Sequence, residues 1–475
     1  MRGPASPVDM STQPPALHAQ SEAWAMEIGR LDAHDQAGLV RSGQLSATEL
    51  VEAALIRAKV LDPHIASISH RADASARAMA RGDLGPGPVA GVPYLIKDSL
   101  DYIGMPSRAA SRSRTSRPAT GQYPLADRFD AAGLVAIGKS SMPEFALLPS
   151  NEPLLYGPVR NPWDLKRSAG GSSGGAAAAV AAGIVPFAHA SDGGGSIRIP
   201  ASCCGLPGLK PTRGANVRAR VQHAVEDLLA GDGLLARSMR DLAQGFEIGL
   251  PQDAVQTPPK QGSLRIGLVL TGLHGQLPAP EVASATEAAA RLCEDLGHIV
   301  EPVVALPGGD GVLSGFRTLW AYLADEVVRG ATDAQELEPW TRGMAAETGF
   351  RTLAELEAAY TCMIRSGQES ARFHERYDIL LSPVNRSAPP ALGHLAPDRL
   401  FGALVEDMFD YLAYTPLQNL AGTPSLSLPL FTGQDGIPIG SMFSAPRGGD
   451  RQLLDLGAAL EDALPWKDRW PELSA

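Results

Sequence analysis

Cysteine is scarce in this chain, and the scarcity narrows the kinds of site and compartment to consider. Only four cysteines occur among 475 residues, one adjacent pair and two isolated residues (Cys203, Cys204, Cys293 and Cys362). This spacing matches neither a zinc-ligand pattern nor a disulfide framework. We therefore expect no metal centre, no bound cofactor and a reduced, cytoplasmic environment.

Long apolar runs are also missing. The longest, residues 176–185, is about half the length that a membrane-spanning helix needs. The first twenty residues are rich in Pro, Ala and Ser and lack the apolar core of a signal peptide. We expect residues 1–22 to be a disordered N-terminal segment or an expression remnant, and we expect no membrane partner.

Positive charge is in deficit, with 41 Lys and Arg against 52 Asp and Glu and a net charge of −11. This balance argues against a nucleic-acid partner. The one basic cluster stands among serines without interleaved aromatic residues, which favours a solvated loop over a phosphate site; it comprises Arg108, Arg112, Arg114 and Arg117. The expected partner is a small molecule, and a homodimer is the default oligomeric state.

Glycine and proline, by contrast, are abundant at 50 and 39 residues, and they bound short apolar runs that predict strands. Segments with helical periodicity lie between these runs, one of them opening with a capping box at Ser46–Glu49. The alternation predicts an α/β fold with a mixed β-sheet core covered by helices on both faces. Strands are predicted at 89–96, 134–137, 185–190, 264–270, 299–304, 377–383 and 425–430. Helices are predicted at 176–183 and 281–296, and two helices lie within 35–61, of which the second opens at the capping box. Without a clear linker, residues 23–475 are predicted to form a single domain with a mainly helical segment at 312–376.

Two serines set among glycines are the strongest candidates for chemistry. Ser196 follows three glycines, whose backbone N–H groups lie close to its hydroxyl and favour a nucleophile loop. Ser172 lies in a Gly-x-Ser-x-Gly match, the pattern of a nucleophile elbow. A buried strand must precede such an elbow, and the preceding segment 161–169 is polar and contains proline. The elbow interpretation therefore fails on context.

A base for a serine nucleophile has to come from outside the histidines, which lie in ordinary contexts. His189 follows Phe187 and Ala188 and is predicted to be a core residue. Lys97 ends an apolar run, where a lysine either extends to water or, in a closed site, has its pKa lowered toward that of a useful base. Position alone leaves both interpretations open, and Lys97 is the leading candidate.

Several motifs together resemble the amidase signature family of hydrolases. The stretches 170–176, 191–201 and 205–211 look like the family signature, and 91–98 looks like its lysine motif. Further segments are similar at 138–145, 161–163, 419–426 and 436–440, so the likeness covers nearly the whole chain. The resemblance implies the amidase signature fold and hydrolysis of C–N bonds.

Residue roles follow from the resemblance. It implies a Ser-cisSer-Lys triad, with Ser196 as the nucleophile, Ser172 as the bridging serine after a cis peptide bond, and Lys97 as the base. An acyl-enzyme on Ser196 would be stabilised by an oxyanion hole made of the backbone N–H groups of Gly193, Gly194, Gly195 and Ser196. Three further residues would brace the loop, namely Ser173, Asp192 and Arg198.

The resemblance is strongest to bacterial hydrolases of linear or cyclic amides, such as 6-aminohexanoate cyclic dimer hydrolase. It implies a small-molecule amide or carbamate substrate, with anilides and esters as further possibilities. The alternative is a tRNA-dependent amidotransferase A-type subunit that passes ammonia to an acyl-tRNA, although Met142-Pro-Glu-Phe145 departs from that subunit's pattern. The segments 312–376 and 140–153 are predicted to wall the substrate pocket. Candidates for its apolar lining, each equally compatible with a core position, are Met142, Phe145, Leu147, Trp320 and Tyr322.

Overall fold

Two mixed β-sheets with helices packed on them form the structure, a computed structural model that describes residues 21–217, 228–254, 256–308 and 311–475. The α/β prediction is confirmed. The strands are β1 (Ile68–Arg71), β2 (Pro93–Lys97), β3 (Val135–Ser140), β4 (Arg160–Asn161), β5 (Asp164–Ser168), β6 (Phe187–Asp192), β7 (Gly208–Lys210), β8 (Gly231–Leu235), β9 (Arg265–Leu268), β10 (Ile299–Pro302), β11 (Ile379–Pro383), β12 (Ser425–Thr432) and β13 (Pro438–Ser444).

Helices precede, connect and follow these strands. They are α1 (Glu22–Gly29), α2 (Ala33–Arg41), α3 (Ala47–Ile65), α4 (Asp73–Ala80), α5 (Pro124–Ala131), α6 (Gly174–Ala181), α7 (Arg198–Cys204), α8 (Met239–Gly249), α9 (Pro280–Asp295), α10 (Val312–Gly330), α11 (Pro339–Ala346), α12 (Leu353–Arg376), α13 (Phe401–Tyr411), α14 (Pro416–Ala421) and α15 (Asp450–Ala463). Within the described residues, no helix combines the length and apolarity that crossing a membrane requires.

The first sheet has the strand order β1-β3-β2-β6-β8, with β3, β2 and β6 parallel and an antiparallel strand at each edge. The second sheet has the order β10-β9-β11-β13-β12-β7, in which the neighbouring pairs β10–β9 and β9–β11 are parallel and the other neighbouring pairs are antiparallel. Strands β4 and β5 form a separate antiparallel pair.

Helix α6 is central to the position of the site. All of its residues are buried, because it is apolar on every face and packs against β6 and α7. Its first turn follows directly on the glycine-rich segment that contains Ser172. A wholly buried helix therefore fixes the position of that segment.

Two sequence predictions can be compared directly with these elements. The capping box is present, since Ser46 and Glu49 each accept a hydrogen bond from the other's backbone N–H. The strand predicted from residue 89 begins only at Pro93, because residues 89–92 turn at Gly91, whose φ is +87°.

The predicted disordered segment 1–22 requires a correction at its end. Helix α1 begins at Glu22, and the side chain of Ser21 accepts the N–H of Trp24 as its N-cap. Residues 1–20 lie outside the described residues. The predicted helical segment 312–376 is occupied by α10, α11 and α12, joined by short connections that include 3₁₀ turns.

Candidate active site

The carboxyl ends of β2 and β6 bring polar residues to one edge of the first sheet. These strands are parallel neighbours, and Leu95 pairs with Ala188. Lys97 at the end of β2 therefore lies beside Ser191 near the end of β6. The carboxyl edge of parallel strands is where α/β folds commonly place their sites.

Lys97 is fully buried, and its amino group lies among serine oxygens. Its Nζ is 2.7 Å from Ser172 Oγ, 2.9 Å from Ser173 Oγ and 2.9 Å from Ser191 Oγ. The sequence left open whether this lysine extends to water. Complete burial excludes that interpretation and places the amino group where it can exchange protons with hydroxyl groups.

Two adjacent serines reach Lys97, but only one of them faces the cavity. Ser172 lines the same cavity as Ser196. Ser173 is not among the lining residues, and its hydroxyl donates to Ser191 O at 3.2 Å while accepting Ser191 N–H at 3.2 Å. The Ser173 hydroxyl is thus bonded to backbone, whereas the Ser172 hydroxyl lies between Lys97 and the cavity.

The backbone just before Ser172 can be formed only by glycine. The peptide bond between Gly171 and Ser172 is cis, as the family resemblance implied. A Cβ on Gly171 would lie 2.4 Å from the backbone oxygen of Ser150, closer than van der Waals contact allows. Gly170 has a φ of +74°, and a Cβ there would approach Pro200 Cα to 2.9 Å.

The loop that contains Ser196 presents backbone N–H groups, though one fewer than predicted. Gly195 N–H donates to Asp192 Oδ1 at 2.7 Å, so it is engaged within the loop, and its predicted place in the oxyanion hole needs correction. Within the described residues, the N–H groups of Gly193, Gly194 and Ser196 have no hydrogen-bond acceptor. These three amides are available to an oxygen atom in the cavity.

A buried ion pair anchors this loop. Asp192 and Arg198 are both fully buried, with Arg198 Nε 2.8 Å from Asp192 Oδ2 and Nη2 2.9 Å from Oδ1. Burial alone would raise the pKa of Asp192, but the charge and hydrogen bonds of Arg198 hold that pKa well below its ordinary value. The same carboxylate accepts the N–H groups of Gly195 and Ile197.

The ion pair is itself held by helix α14 and the residue before it. Arg198 Nη2 donates to Asn419 Oδ1 at 2.6 Å and to Thr415 O at 3.0 Å, and Nη1 donates to Gln418 Oε1 at 3.0 Å. The hydroxyl of Thr415 donates to Gly194 O at 2.7 Å. A segment more than 200 residues away in the sequence thus fixes the backbone beside Ser196.

The cavity beside Ser196 is mostly apolar. Its described lining consists of Ser99, Ala109, Arg114, Met142, Phe145, Ala146, Leu147, Ser172, Ser191, Gly193, Ser196, Leu229, Ala230, Trp320, Leu323 and Val327. Four of the five predicted lining residues are among these, and Tyr322 is not. A smaller, almost wholly apolar cavity shares Leu147, Ser196 and Trp320 with the first.

Some residues of the site carried no signal in the sequence. Ser191 has a hydroxyl within 2.9 Å of Lys97 Nζ, yet in the sequence it is only one more serine before a glycine run. Arg114 lines the cavity, although its basic cluster was predicted to be a solvated loop. Only the three-dimensional path of the chain distinguishes Arg114 from its neighbours.

His189 lies away from this site. It is fully buried, with Nε2 3.0 Å from Asp232 Oδ1 and its ring 5.9 Å from that of Phe129, which agrees with the predicted core position. Among the residues that the structure describes, no three His, Cys, Asp or Glu side chains are grouped as a metal site would require. The side chains at the site are hydroxyl groups, one amine and a buried ion pair.

Comparison with known proteins gives consistent matches along the chain. The family model described as Amidase matches residues 49–454. A putative amidase, AmiC, of Mycobacterium leprae is 37% identical over 457 residues, which cover 92% of this chain and 96% of the relative. The 6-aminohexanoate-cyclic-dimer hydrolase of Pseudomonas sp. (strain NK87) is 35% identical over 479 residues, covering 93% and 96%.

Solved structures agree with these sequence matches. A 6-aminohexanoate cyclic dimer hydrolase complexed with substrate superposes with a TM-score of 0.85 at 31% identity, covering 94% of this chain and 100% of the other. A bacterial aryl acylamidase of the amidase signature family superposes with a TM-score of 0.83 at 25% identity, covering 93% and 97%.

Proposed function

The chain belongs to the amidase family and is an amide hydrolase, and on that premise we propose that it cleaves the C–N bond of small-molecule amides through an acyl-enzyme on Ser196. In this proposal Ser172 relays protons and Lys97 is the base. The observation that carries it is the 2.7 Å contact of Lys97 Nζ with Ser172 Oγ, beside a cavity that Ser172 and Ser196 both line.

The first step forms the tetrahedral intermediate that precedes the acyl-enzyme. Neutral Lys97 accepts the hydroxyl proton of Ser172, while Ser172 Oγ accepts the hydroxyl proton of Ser196. Ser196 Oγ then bonds to the carbonyl carbon of the substrate. The carbonyl π electrons move to oxygen, which becomes the oxyanion.

The oxyanion would accept hydrogen bonds from the backbone amides that have no acceptor among the described residues, those of Gly193, Gly194 and Ser196. Such donors, fixed before the reaction, stabilise the tetrahedral intermediate without reorganisation, and one of them is worth about 3 to 4 kcal/mol. The ion pair of Asp192 with Arg198 contributes by holding the loop in place.

The second step releases the amine. The proton on Lys97 returns through Ser172 to the substrate nitrogen as the C–N bond breaks, which leaves an ester on Ser196 and neutral Lys97. Water then attacks the ester carbonyl and gives up its proton through the same relay. Cleavage of the ester bond releases a carboxylic acid and restores the Ser196 hydroxyl.

The lining of the cavity supports one substrate class. Apolar side chains in both cavities that include Ser196 favour alkyl or aryl groups flanking the scissile bond. Relatives described as a cyclic-dimer hydrolase and an aryl acylamidase support amides with such groups. We extend the proposal to carbamates, because their carbonyl presents the same geometry to the nucleophile, and to a cytoplasmic setting that suits the free cysteines.

Substitutions test the assignment of roles. We expect Ser196→Ala to lower kcat on a chromogenic anilide by at least about 10³-fold, and Lys97→Ala and Ser172→Ala by about 10² to 10⁴-fold. Ser173→Ala is the matched control, because Ser173 also touches Lys97 but does not line the cavity. Its kcat should fall by less than about tenfold. Equal losses in Ser172→Ala and Ser173→Ala would overturn the relay assignment.

Covalent labelling tests the nucleophile independently of the substrate. A fluorophosphonate probe should modify Ser196 in the wild-type protein, and Lys97→Ala should slow the modification. Labelling at another serine would contradict the proposal. An isolated chain that hydrolyses no amide but co-purifies with partner subunits would favour the amidotransferase alternative.

A further inference from the structure

The main cavity contains a charge that the proposed mechanism does not use. Among the described residues that line it, Arg114 alone carries a charge, in a lining that is otherwise apolar apart from serines. Arg114 is half-buried, so part of its guanidinium remains accessible at the cavity, and a cation in such a setting gains most from an anionic partner. The position of Arg114 thus indicates a ligand with complementary charge.

The side chain of Arg114 is oriented but not paired. Its guanidinium carbon lies 4.9 Å from the centre of the Phe145 ring, a cation–π contact that holds the group against the cavity wall. Within the described residues it has no ion pair, and none of its N–H groups makes a hydrogen bond. Its five N–H donors are therefore available to a ligand.

Neighbouring groups are already engaged, which separates Arg114 from the rest of its cluster. Burial raises the pKa of Asp98, and the nearby charge of Arg114 lowers that pKa slightly. The carboxylate oxygens of Asp98 are already engaged, because they accept the N–H groups of Arg108 and Ala110. Arg112 is exposed and donates to a backbone oxygen. Arg117 is exposed and does not line the cavity.

We propose that Arg114 binds a carboxylate of the substrate, so that the preferred substrates are amides in which an apolar segment separates the scissile bond from an anionic end. The proposal rests on the function proposed above. A planar guanidinium matches a carboxylate in two parallel hydrogen bonds, which favours this anion over others.

The remainder of the lining supports this substrate class. The cavity that Arg114 and Ser196 both line also includes side chains such as Met142, Leu147 and Trp320, which suit a methylene chain or a ring. The smaller cavity, which also includes Ser196, has no charged side chain among its described lining residues. In this proposal that cavity takes a neutral, apolar part of the substrate, and the charged end lies at Arg114.

Two matched substrate pairs provide the test, one for each side of the amide. The first pair is the mono-4-nitroanilide of adipic acid and the 4-nitroanilide of heptanoic acid, which differ in the charge at the end of the acyl chain. The second pair is N-hexanoyl-6-aminohexanoate and N-hexanoyl-hexylamine, which differ in the charge at the end of the amine. In at least one pair, we expect wild-type kcat/KM to favour the carboxylate by about 10 to 100-fold.

Variants assign that preference to one residue. Arg114→Gln should abolish the carboxylate preference, mainly through KM, and Arg114→Glu should instead favour 6-aminohexanoic acid 4-nitroanilide, which ends in an ammonium group. The matched control is Arg117→Gln, three residues away on the same loop, which should retain the wild-type preference. Added salt should lower kcat/KM for the carboxylate substrate more than for the neutral one.

The outcomes separate this proposal from the proposed function. A wild-type enzyme that hydrolyses the neutral members and shows no carboxylate preference in either pair would overturn the role of Arg114 and leave the function intact. A carboxylate preference that survives in Arg114→Gln would also overturn the role of Arg114 and leave the proposed function intact. Hydrolysis that persists in Ser196→Ala would instead overturn the proposed mechanism.

Discussion

Replacing Asp192 by asparagine should unfold the protein much more easily, because it would leave a buried arginine without its counter-ion. Arg198 is fully buried, and its remaining acceptors are the neutral oxygens of Thr415, Gln418 and Asn419. Removing one partner of such a buried pair typically destabilises a protein by about 3 to 5 kcal/mol. We expect Asp192→Asn to lower the free energy of unfolding by that amount.

A double-mutant cycle attributes the loss to the pair. The measurement is urea unfolding followed by tryptophan fluorescence at pH 7, where Asp192 is fully charged because its pKa lies well below the ordinary value. Asp192→Asn, Arg198→Met and the double variant should give a coupling energy of about 2 to 4 kcal/mol. A coupling energy below about 0.5 kcal/mol would refute the argument that the orphaned charge causes the loss.

Activity should follow the same ion pair. The carboxylate of Asp192 also accepts the N–H groups of Gly195 and Ile197, on either side of Ser196. An asparagine amide group in place of one oxygen would face one of these donors with a second donor. We therefore expect kcat on a chromogenic anilide to fall in Asp192→Asn even at temperatures where the protein remains folded, and fluorophosphonate labelling of Ser196 under native conditions to slow as well.

Three further predictions concern other parts of the chain. Burial and the charge of Glu144 raise the pKa of Glu338 to about 8, so its stabilising protonated form is lost as the pH rises through that value. Glu338→Gln should therefore raise the melting temperature relative to wild type at pH 9 but not at pH 5. A difference in melting temperature that does not depend on pH would contradict this. Gly171→Ala should lower the rate of acyl-enzyme formation by at least about 10²-fold, because its Cβ would displace the backbone at Ser150. Burst kinetics in stopped flow that stay close to those of the wild type would show instead that the loop adapts. Iodoacetamide should modify Cys362, the one partly exposed cysteine, before the three buried ones, which peptide mapping of the native protein would reveal.

Local chemistry explains how much of the fold the sequence predicts. The capping box at Ser46 involves residues three positions apart, and the ends of β2 and β6 follow from apolar runs that stop at polar residues. Features of this kind depend on neighbours in the sequence. The glycine-rich segments are therefore recognisable as a candidate site from the sequence alone.

The parts that the sequence could not predict depend on contacts between distant segments. Arg114 and Arg117 each follow a serine in the same basic cluster, and the packing of Arg114 on Phe145 separates the cavity residue from the solvated one. Thr415 and Asn419 hold the loop that contains Ser196 from more than 200 positions away. Their contacts leave no periodic or spacing signal in a single sequence.

The three glycines before Ser196 meet three different physical demands. Gly195 has a φ of +130°, and a Cβ on Gly194 would lie 2.5 Å from Phe316 Cζ, so conformation and packing require glycine at these two positions. A Cβ on Gly193 would meet Trp320 only at 3.5 Å, an ordinary contact. Packing therefore does not require glycine at 193, but Gly193 lines the cavity, and a side chain there would occupy space next to the amide proposed to bind the oxyanion. Substrate access therefore explains the glycine at position 193 better than the fold does.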